Sequence, residues 1–146
     1  MGDAEFVRAY DVLAGDFSNA GRASTSIKET LKDMGIAAPL VRRLAIAAYE
    51  AEMNIVMYAR RGTIRLAVTP SDVALDVQDE GPGIPDIALA MQEGYSTATP
   101  AMREMGFGAG MGLPNIRRHS DDLEITSEVG RGTHLAIRVR LGSEVA

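Results

Sequence analysis

Apolar and polar residues roughly alternate at the start of the chain, and this alternation predicts a first strand over residues 5–13. The next segment, residues 16–36, has a helical pattern. Asp16 or Ser18 is the expected N-cap of this first helix, and Gly35 is its expected stop.

The strongest helical pattern of the chain lies at residues 38–62. Its apolar positions recur every three or four residues, at Leu40, Leu44, Ala47, Ala51, Ile55 and Tyr58. This spacing places them on one face of a helix, as expected for a segment that packs on a core. Gly62 is the expected end of this helix.

The rest of the chain predicts four more strands and two shorter helices. In chain order they are strands at residues 63–68 and 73–79, helices at 84–93 and 113–120, and strands at 122–129 and 133–141. Strand pairs joined by short turns imply an antiparallel or mixed sheet. We therefore predict one α+β domain, residues 1–146: a two-layer sandwich with a mixed, mostly antiparallel sheet covered on one face by helices.

Composition narrows the class of protein. Hydrophobic residues make up 46% of the 146 residues and charged residues 24%, the balance of an ordinary soluble domain. No apolar run approaches the ~20 residues of a membrane span, so no membrane partner is expected. The net charge of −5 and the aromatic content of 5% give no support to a nucleic-acid partner. The chain has no cysteine, which excludes disulfides and thiolate metal sites and agrees with a cytoplasmic location.

The segment GFGAGMGLPNI, residues 106–116, has glycine at every second position from Gly106 to Gly112. Such a segment suits a loop that approaches a ligand closely, and its backbone N–H groups can surround a phosphate. It lacks the spacing of a dinucleotide-binding fingerprint, and no Lys followed by Ser or Thr makes it a Walker loop. The alternative is a surface loop without a ligand.

Glu50 and Asn54 lie four residues apart on the long predicted helix and therefore share one of its faces. A carboxylate and an amide in this arrangement can serve as a general base and as an oxygen ligand of Mg²⁺. The alternative is a solvated helix face, on which Glu50, Glu52 and Asn54 are merely polar.

The segment DVQDEGPGIPD, residues 76–86, combines a carboxylate at a strand end with two glycines. Asp79 can accept a hydrogen bond from an exocyclic amine such as that of adenine, and Gly81 and Gly83 let a flat ring approach the backbone. The alternative is a simple strand-to-helix turn. Thr133, which starts the last strand, either supports this carboxylate through its hydroxyl or is only a good strand residue.

The order of these motifs along the chain resembles the GHKL ATPase fold, which Hsp90, MutL, gyrase and histidine kinases share. EAEMN matches the N box, DEGPGIP the G1 box, GAGMGL the G2 box after the lid, and GRGT the final Thr-bearing box. The resemblance covers roughly residues 38–141 and implies the ATP-binding Bergerat fold. Length favours the small members of the superfamily. Among these the chain is similar to the bacterial anti-sigma factors and switch serine/threonine kinases, more to the RsbT type than to the SpoIIAB and RsbW types.

The resemblance implies a serine/threonine kinase that uses ATP and Mg²⁺. Glu50 would be the catalytic base toward a Ser or Thr hydroxyl, Asn54 would bind Mg²⁺, and Asp79 would bind the adenine amino group. A lid would span about residues 91–111. The residues implied in ATP or ADP binding are Asn54, Asp79, Gly81, Gly83, Gly108, Gly110, Met111, Gly112, Leu113 and Thr133.

The partner that the resemblance implies is a STAS-domain antagonist protein of a bacterial partner-switching pathway. A sigma factor, a phosphatase and a second copy of the chain are the other partners it suggests. A different hypothesis is a non-catalytic module that senses the nucleotide and sequesters a sigma factor or activates a phosphatase. A free ATPase ranks last, because its turnover would have nothing to drive.

One departure from the family pattern concerns the γ-phosphate. Some sigma-binding members carry an Arg just before the phosphate-binding glycines, where this chain has Phe107 and Gly108. The nearest preceding Arg is Arg103, and Arg117 and Arg118 follow on the next predicted helix. The source of a positive contact to this phosphate therefore stays open.

Overall fold

The computed structural model of the chain describes residues 6–92 and 112–142. In chain order the elements are β1 (Phe6–Leu13), α1 (Arg22–Asp33), α2 (Ala38–Tyr58), β2 (Arg61–Val68), β3 (Asp72–Glu80), α3 (Ile87–Ala90), α4 (Gly112–Arg118), β4 (Asp122–Glu128) and β5 (Gly132–Arg140). Each of the predicted strands and helices is present, with shifted ends. Within these two ranges, no helix is long and apolar enough to cross a membrane.

The five strands form one sheet in the order β1-β2-β3-β5-β4. Side chains alternate between its two faces, so Ile64 and Leu66 in β2, Leu75 in β3 and Ile137 in β5 are buried on the same side. The opposite face carries polar and charged side chains such as Arg65. The predicted α+β sandwich is confirmed, and all four ladders between the described strands are antiparallel.

Helix α2 lies on the buried face of the sheet and supplies much of the core. Leu44, Ala47 and Ile55, from its predicted apolar face, have no exposed surface. Helix α1 lies beside α2 and contributes Ile27 and Leu31 to the same core. Each such large side chain stabilises the fold by about 1.5–3 kcal/mol when it is buried. This layer fixes α2 on the sheet, and with it the polar residues that α2 carries.

The predicted start of the first helix is wrong. The chain makes a 3₁₀ turn at Phe17–Asn19, so neither Asp16 nor Ser18 caps α1. Helix α1 begins only at Arg22, after Gly21 has taken a positive φ of 96° that redirects the chain. Gly21 is the N-cap residue of α1 and has no side chain to cap the helix. Its backbone N–H donates instead to the carboxylate of Glu52 in α2.

The predicted end of the long helix is also wrong. Helix α2 ends at Tyr58, because the backbone is already extended at Ala59. Gly62 lies within β2, where a Cβ would come within 2.7 Å of Cδ1 of Ile55 and 2.8 Å of a backbone carbonyl oxygen of β3. Glycine at this position therefore permits close packing of helix on sheet and does not terminate the helix.

Candidate functional site

The candidate site lies along the face of α2 that α4 covers. Glu50 and Asn54 are one helical turn apart on this face, and both are half-buried. The side-chain amide of Asn115 in α4 donates a 3.0 Å hydrogen bond from Nδ2 to Oε2 of Glu50. At its first residue, α4 passes so close to Asn54 that a Cβ on Gly112 would lie 3.1 Å from the Asn54 Oδ1. The predicted pair therefore meets the start of the helix that follows the glycine segment.

Asn115 is a residue that sequence reasoning missed. Its Oδ1 accepts a 3.0 Å hydrogen bond from Nη1 of Arg118, one turn further along α4. This contact orients the amide, because a flipped amide would turn its oxygen toward the Glu50 carboxylate. The sequence places Asn115 and Arg118 three residues apart on one helix face. Nothing in the sequence indicates that this face meets Glu50.

Asp79 lies near the end of β3, beside β5. Its Oδ1 accepts a 3.1 Å hydrogen bond from the backbone N–H of Thr133, its one hydrogen-bond partner among the described residues. Burial raises the pKa of the Asp79 carboxyl above its ordinary value of 3.8, and the hydrogen bond from Thr133 opposes that rise. The second oxygen of a half-buried carboxyl is thereby left to accept from a ligand.

The two glycines after Asp79 differ in what they approach. A Cβ on Gly81 would lie 3.1 Å from Oδ1 of Asp79 and 3.1 Å from Cα of Ala59, so glycine keeps the carboxylate uncrowded. Gly83 has a φ of 78°, and a Cβ there would overlap the backbone carbonyl of Glu128. Gly83 therefore lets the turn after β3 pack against β4.

Thr133 contacts the Asp79 carboxylate through its backbone N–H, whereas one of the two alternatives from the sequence used its hydroxyl and the other made it only a strand residue. The Thr133 Oγ1 lies 2.9 Å from Oγ of Ser127, which is its register partner across the β4–β5 ladder. Ser127 Oγ also donates to the carbonyl of Gly132 at 3.1 Å and accepts from the N–H of Ile84 at 2.7 Å. Ser127 thus ties the turn after β3 to the β4–β5 hairpin. The register of that hairpin is the signal that would have identified it.

Three residues of the predicted phosphate site, Gly108, Gly110 and Met111, lie outside the described residues. So do Arg103 and most of the predicted lid, residues 93–111. Of the remaining members, Gly112 begins α4 beside Asn54. Leu113 is only 9% exposed and belongs to the hydrophobic core, so its side chain packs the base of α4.

Glu52 is buried, although the solvated-face alternative treated it as merely polar. Only 3% of it is exposed. Its Oε2 accepts the backbone N–H groups of Gly21 and Ala23 at 3.1 and 3.2 Å, and its Oε1 accepts that of Ser24 at 3.0 Å. Glu52 therefore caps α1 from a neighbouring helix and satisfies donors that no local side chain reaches.

These residues fit a nucleotide with a divalent cation. A carboxylate with a free oxygen beside a glycine suits an amino-bearing ring. At the other end Asn54 offers an amide oxygen, a ligand that Mg²⁺ accepts alongside waters and phosphate oxygens. In residues 6–92 and 112–142 no group of three His, Cys, Asp or Glu side chains could hold a metal.

Comparison with known proteins gives one family and several relatives. Residues 39–143 match the family described as histidine kinase-, DNA gyrase B- and HSP90-like ATPase. The chain is 30% identical over 112 residues to the serine/threonine-protein kinase RsbT of Bacillus subtilis, covering 74% of this chain and 78% of that protein. It is 29% identical over 125 residues to an anti-sigma F factor of Thermoanaerobacter sp., covering 86% of this chain and 80% of that protein. An anti-sigma F factor of Caldanaerobacter subterraneus is also 29% identical, over 123 residues.

The family match includes the candidate residues on α2, β3, α4 and β5. It confirms the predicted resemblance to the GHKL ATPases, and the relatives agree with the predicted likeness to small kinases and anti-sigma factors. The chain therefore belongs to the histidine kinase-, DNA gyrase B- and HSP90-like ATPases, a family of ATP-binding domains.

Proposed function

We propose that this chain is an ATP- and Mg²⁺-dependent protein serine/threonine kinase whose substrate is a STAS-domain antagonist protein of a bacterial partner-switching pathway. The observation that carries the proposal is the Glu50 carboxylate, held by Asn115 beside Asn54 and the start of α4. Similarity to a serine/threonine-protein kinase supports the same reading.

In this proposal Glu50 accepts the proton of a Ser or Thr hydroxyl on the partner, and the Asn115 amide keeps the accepting carboxylate in place. Asn54 would hold Mg²⁺, and Asp79 would accept a hydrogen bond from the adenine amino group. ATP would supply the phosphoryl group and leave as ADP, and Mg²⁺ would neutralise the phosphate charge during the transfer. The protein's contribution is mainly placement, which is what a carboxylate fixed by a hydrogen bond provides.

A second candidate rests on the anti-sigma F factors among the relatives. In that case the chain senses a nucleotide and sequesters a sigma factor or activates a phosphatase, without transferring phosphate. Both candidates use the same nucleotide site, so they differ only in what happens to the partner.

The test is incubation of the purified chain with ATP labelled at the γ-phosphate, Mg²⁺ and a STAS-domain protein from the same organism. We expect label on a Ser or Thr of the partner, reduced about 10²-fold or more by Glu50→Gln. Glu124→Gln, an exposed carboxylate on β4, is the matched control and should transfer normally. A stoichiometric complex without label would favour the second candidate, and equal transfer by Glu50→Gln would refute the role of Glu50.

A further inference from the structure

A groove of about 520 Å³ runs between α1 and α2 and reaches Glu50. Its floor is apolar, with Val41 and Ile46 of α2 among the lining residues. Tyr49 lines it next to Glu50 and is 40% exposed, one of five large hydrophobic side chains that are exposed in residues 6–92 and 112–142. The groove therefore joins an uncovered apolar surface to the carboxylate of the candidate site.

The walls of this groove are basic. Lys28 and Lys32 from α1 and Arg42 from α2 line it, and all three are exposed. None of them forms an ion pair with another residue of the described ranges. They outnumber the single carboxylate of the groove, Glu50, in a chain whose net charge is −5. A local positive patch on an acidic protein attracts an anionic segment to that patch and away from the rest of the surface.

We propose that the groove docks an acidic segment of the protein that is phosphorylated. The inference rests on the proposed function, because it takes Glu50 to mark the position of the acceptor hydroxyl. It adds the chemistry by which the substrate is chosen: carboxylates of the partner against Lys28, Lys32 and Arg42, over an apolar floor that receives an intervening side chain.

The helix geometry gives the spacing of these carboxylates. Arg42 and Glu50 both line the groove and lie eight residues apart, which is about 12 Å along α2. An extended segment advances about 3.3 Å per residue, so about four residues span this distance. Acidic side chains are therefore expected about three to five positions from the acceptor Ser or Thr.

The floor and the size of the patch favour a protein over a nucleic acid. Nucleic-acid sites present an extended basic surface on a domain that is basic as a whole. Here the basic wall consists of three side chains on an acidic domain, and apolar residues lie between them. Such a surface resembles the apolar centre and charged rim of a protein interface.

The test uses fluorescein-labelled peptides that contain one Ser, with Glu residues three to five positions away on either side, and the same peptides with Gln. Binding to the whole chain is followed by anisotropy at low salt, where exposed charges are least screened. We expect the Glu peptide of one polarity to bind about fivefold or more tightly than its Gln counterpart. The double variant Lys32→Gln/Arg42→Gln should abolish this preference.

The control is Arg8→Gln/Arg65→Gln, which removes the same charge from exposed positions on β1 and β2. It should keep the preference, while Lys32→Glu/Arg42→Glu should transfer it to a peptide with Lys in place of Glu. Equal binding of Glu and Gln peptides, or equal loss in the control, would overturn the proposal. So would tighter binding of a single-stranded oligonucleotide or of anionic vesicles.

Failure of the proposed function can be told apart from failure of this inference. Calorimetric titration with ATP, done without peptide, reports on the nucleotide site, whereas peptide binding is measured without ATP. If the chain did not bind ATP but still discriminated between the peptides, the proposed kinase function would be wrong and the docking groove would stand. Loss of peptide discrimination with ATP binding intact would remove only the docking groove.

Discussion

Replacing Glu52 tests how the helix that carries the candidate site is held to its neighbour. The carboxylate of Glu52 accepts three backbone N–H groups at the start of α1, and it is 3% exposed. Glu52→Ala removes both acceptor oxygens, and with them all three hydrogen bonds. Two of the freed donors belong to the buried residues Ala23 and Ser24, which water does not reach easily.

The size of the effect follows from those donors. An unsatisfied buried donor costs about 1–3 kcal/mol. The third donor, at Gly21, is half-exposed and can turn to water. We therefore expect Glu52→Ala to lower the free energy of unfolding by about 3–5 kcal/mol, out of the 5–15 kcal/mol of an ordinary domain, and Tm by about 6–20 °C. Glu52→Gln keeps one acceptor oxygen and should cost about 2–3 kcal/mol.

Urea unfolding followed by far-UV circular dichroism measures this loss. The matched control is Glu50→Gln, which weakens a single hydrogen bond of a half-buried carboxylate on the same helix and should cost under about 1 kcal/mol. If Glu52→Ala unfolded within about 1 kcal/mol of the wild type, the capping argument would be wrong. If Glu50→Gln lowered the free energy of unfolding as much as Glu52→Ala, the loss would reflect any substitution of a carboxylate on α2 and not the capping of α1.

Three further changes test the site. Asp79→Asn should abolish ATP binding in calorimetry. Because burial raises the pKa of the Asp79 carboxyl, the folded state favours its protonated form. The free energy of unfolding of the wild type, relative to that of the variant, should therefore fall as pH rises above 3.8 through the folded-state pKa. Asn115→Ala should lower kcat for phosphoryl transfer about tenfold to a hundredfold, with KM for ATP within about twofold, since Glu50 loses the group that orients it. Gly83→Ala should lower the free energy of unfolding by about 2–4 kcal/mol, whereas Gly130→Ala, with φ of 85° and open space around it, should cost only about 1 kcal/mol.

Each of these has a clear contrary result. ATP binding retained by Asp79→Asn would remove adenine recognition from this carboxylate. A raised KM with unchanged kcat in Asn115→Ala would give that amide a role in binding. If Gly83→Ala and Gly130→Ala lowered the free energy of unfolding equally, backbone strain at positive φ would explain both losses, and the close contact of Gly83 with β4 would contribute nothing.

The elements that sequence reasoning identified best are those with a local signal. The hairpins β2–β3 and β4–β5 have alternating side chains and short turns, and α2 has its apolar spacing, so both kinds of element are recognisable from neighbours in sequence. The position of Glu50 and Asn54 on one face of α2 is an equally local signal, because four residues make about one helical turn.

What the sequence did not reveal depends on contacts between distant residues. Gly62 looked like a helix end because glycine usually stops helices, yet Ile55 packs onto it within the sheet. Glu52 looked like a solvated carboxylate, and its partners lie about 30 residues earlier in the chain. Asn115 lies 65 residues from Glu50. Such contacts are set by the tertiary fold, and the periodicity of apolar residues along the chain does not predict them.

The position of β3 in the sheet has a consequence for native-state hydrogen exchange. Asp79 lies on the middle strand of five, hydrogen-bonded on both sides, whereas Asn115 lies on the short helix α4. Amides of the central strand should exchange only when the whole domain opens, while those of α4 should exchange through local openings of lower free energy. Asn115 therefore belongs to a different cooperative unit from Asp79, and Asp79 on β3 and Glu50 on α2 keep their places when α4 opens and releases the Glu50 carboxylate.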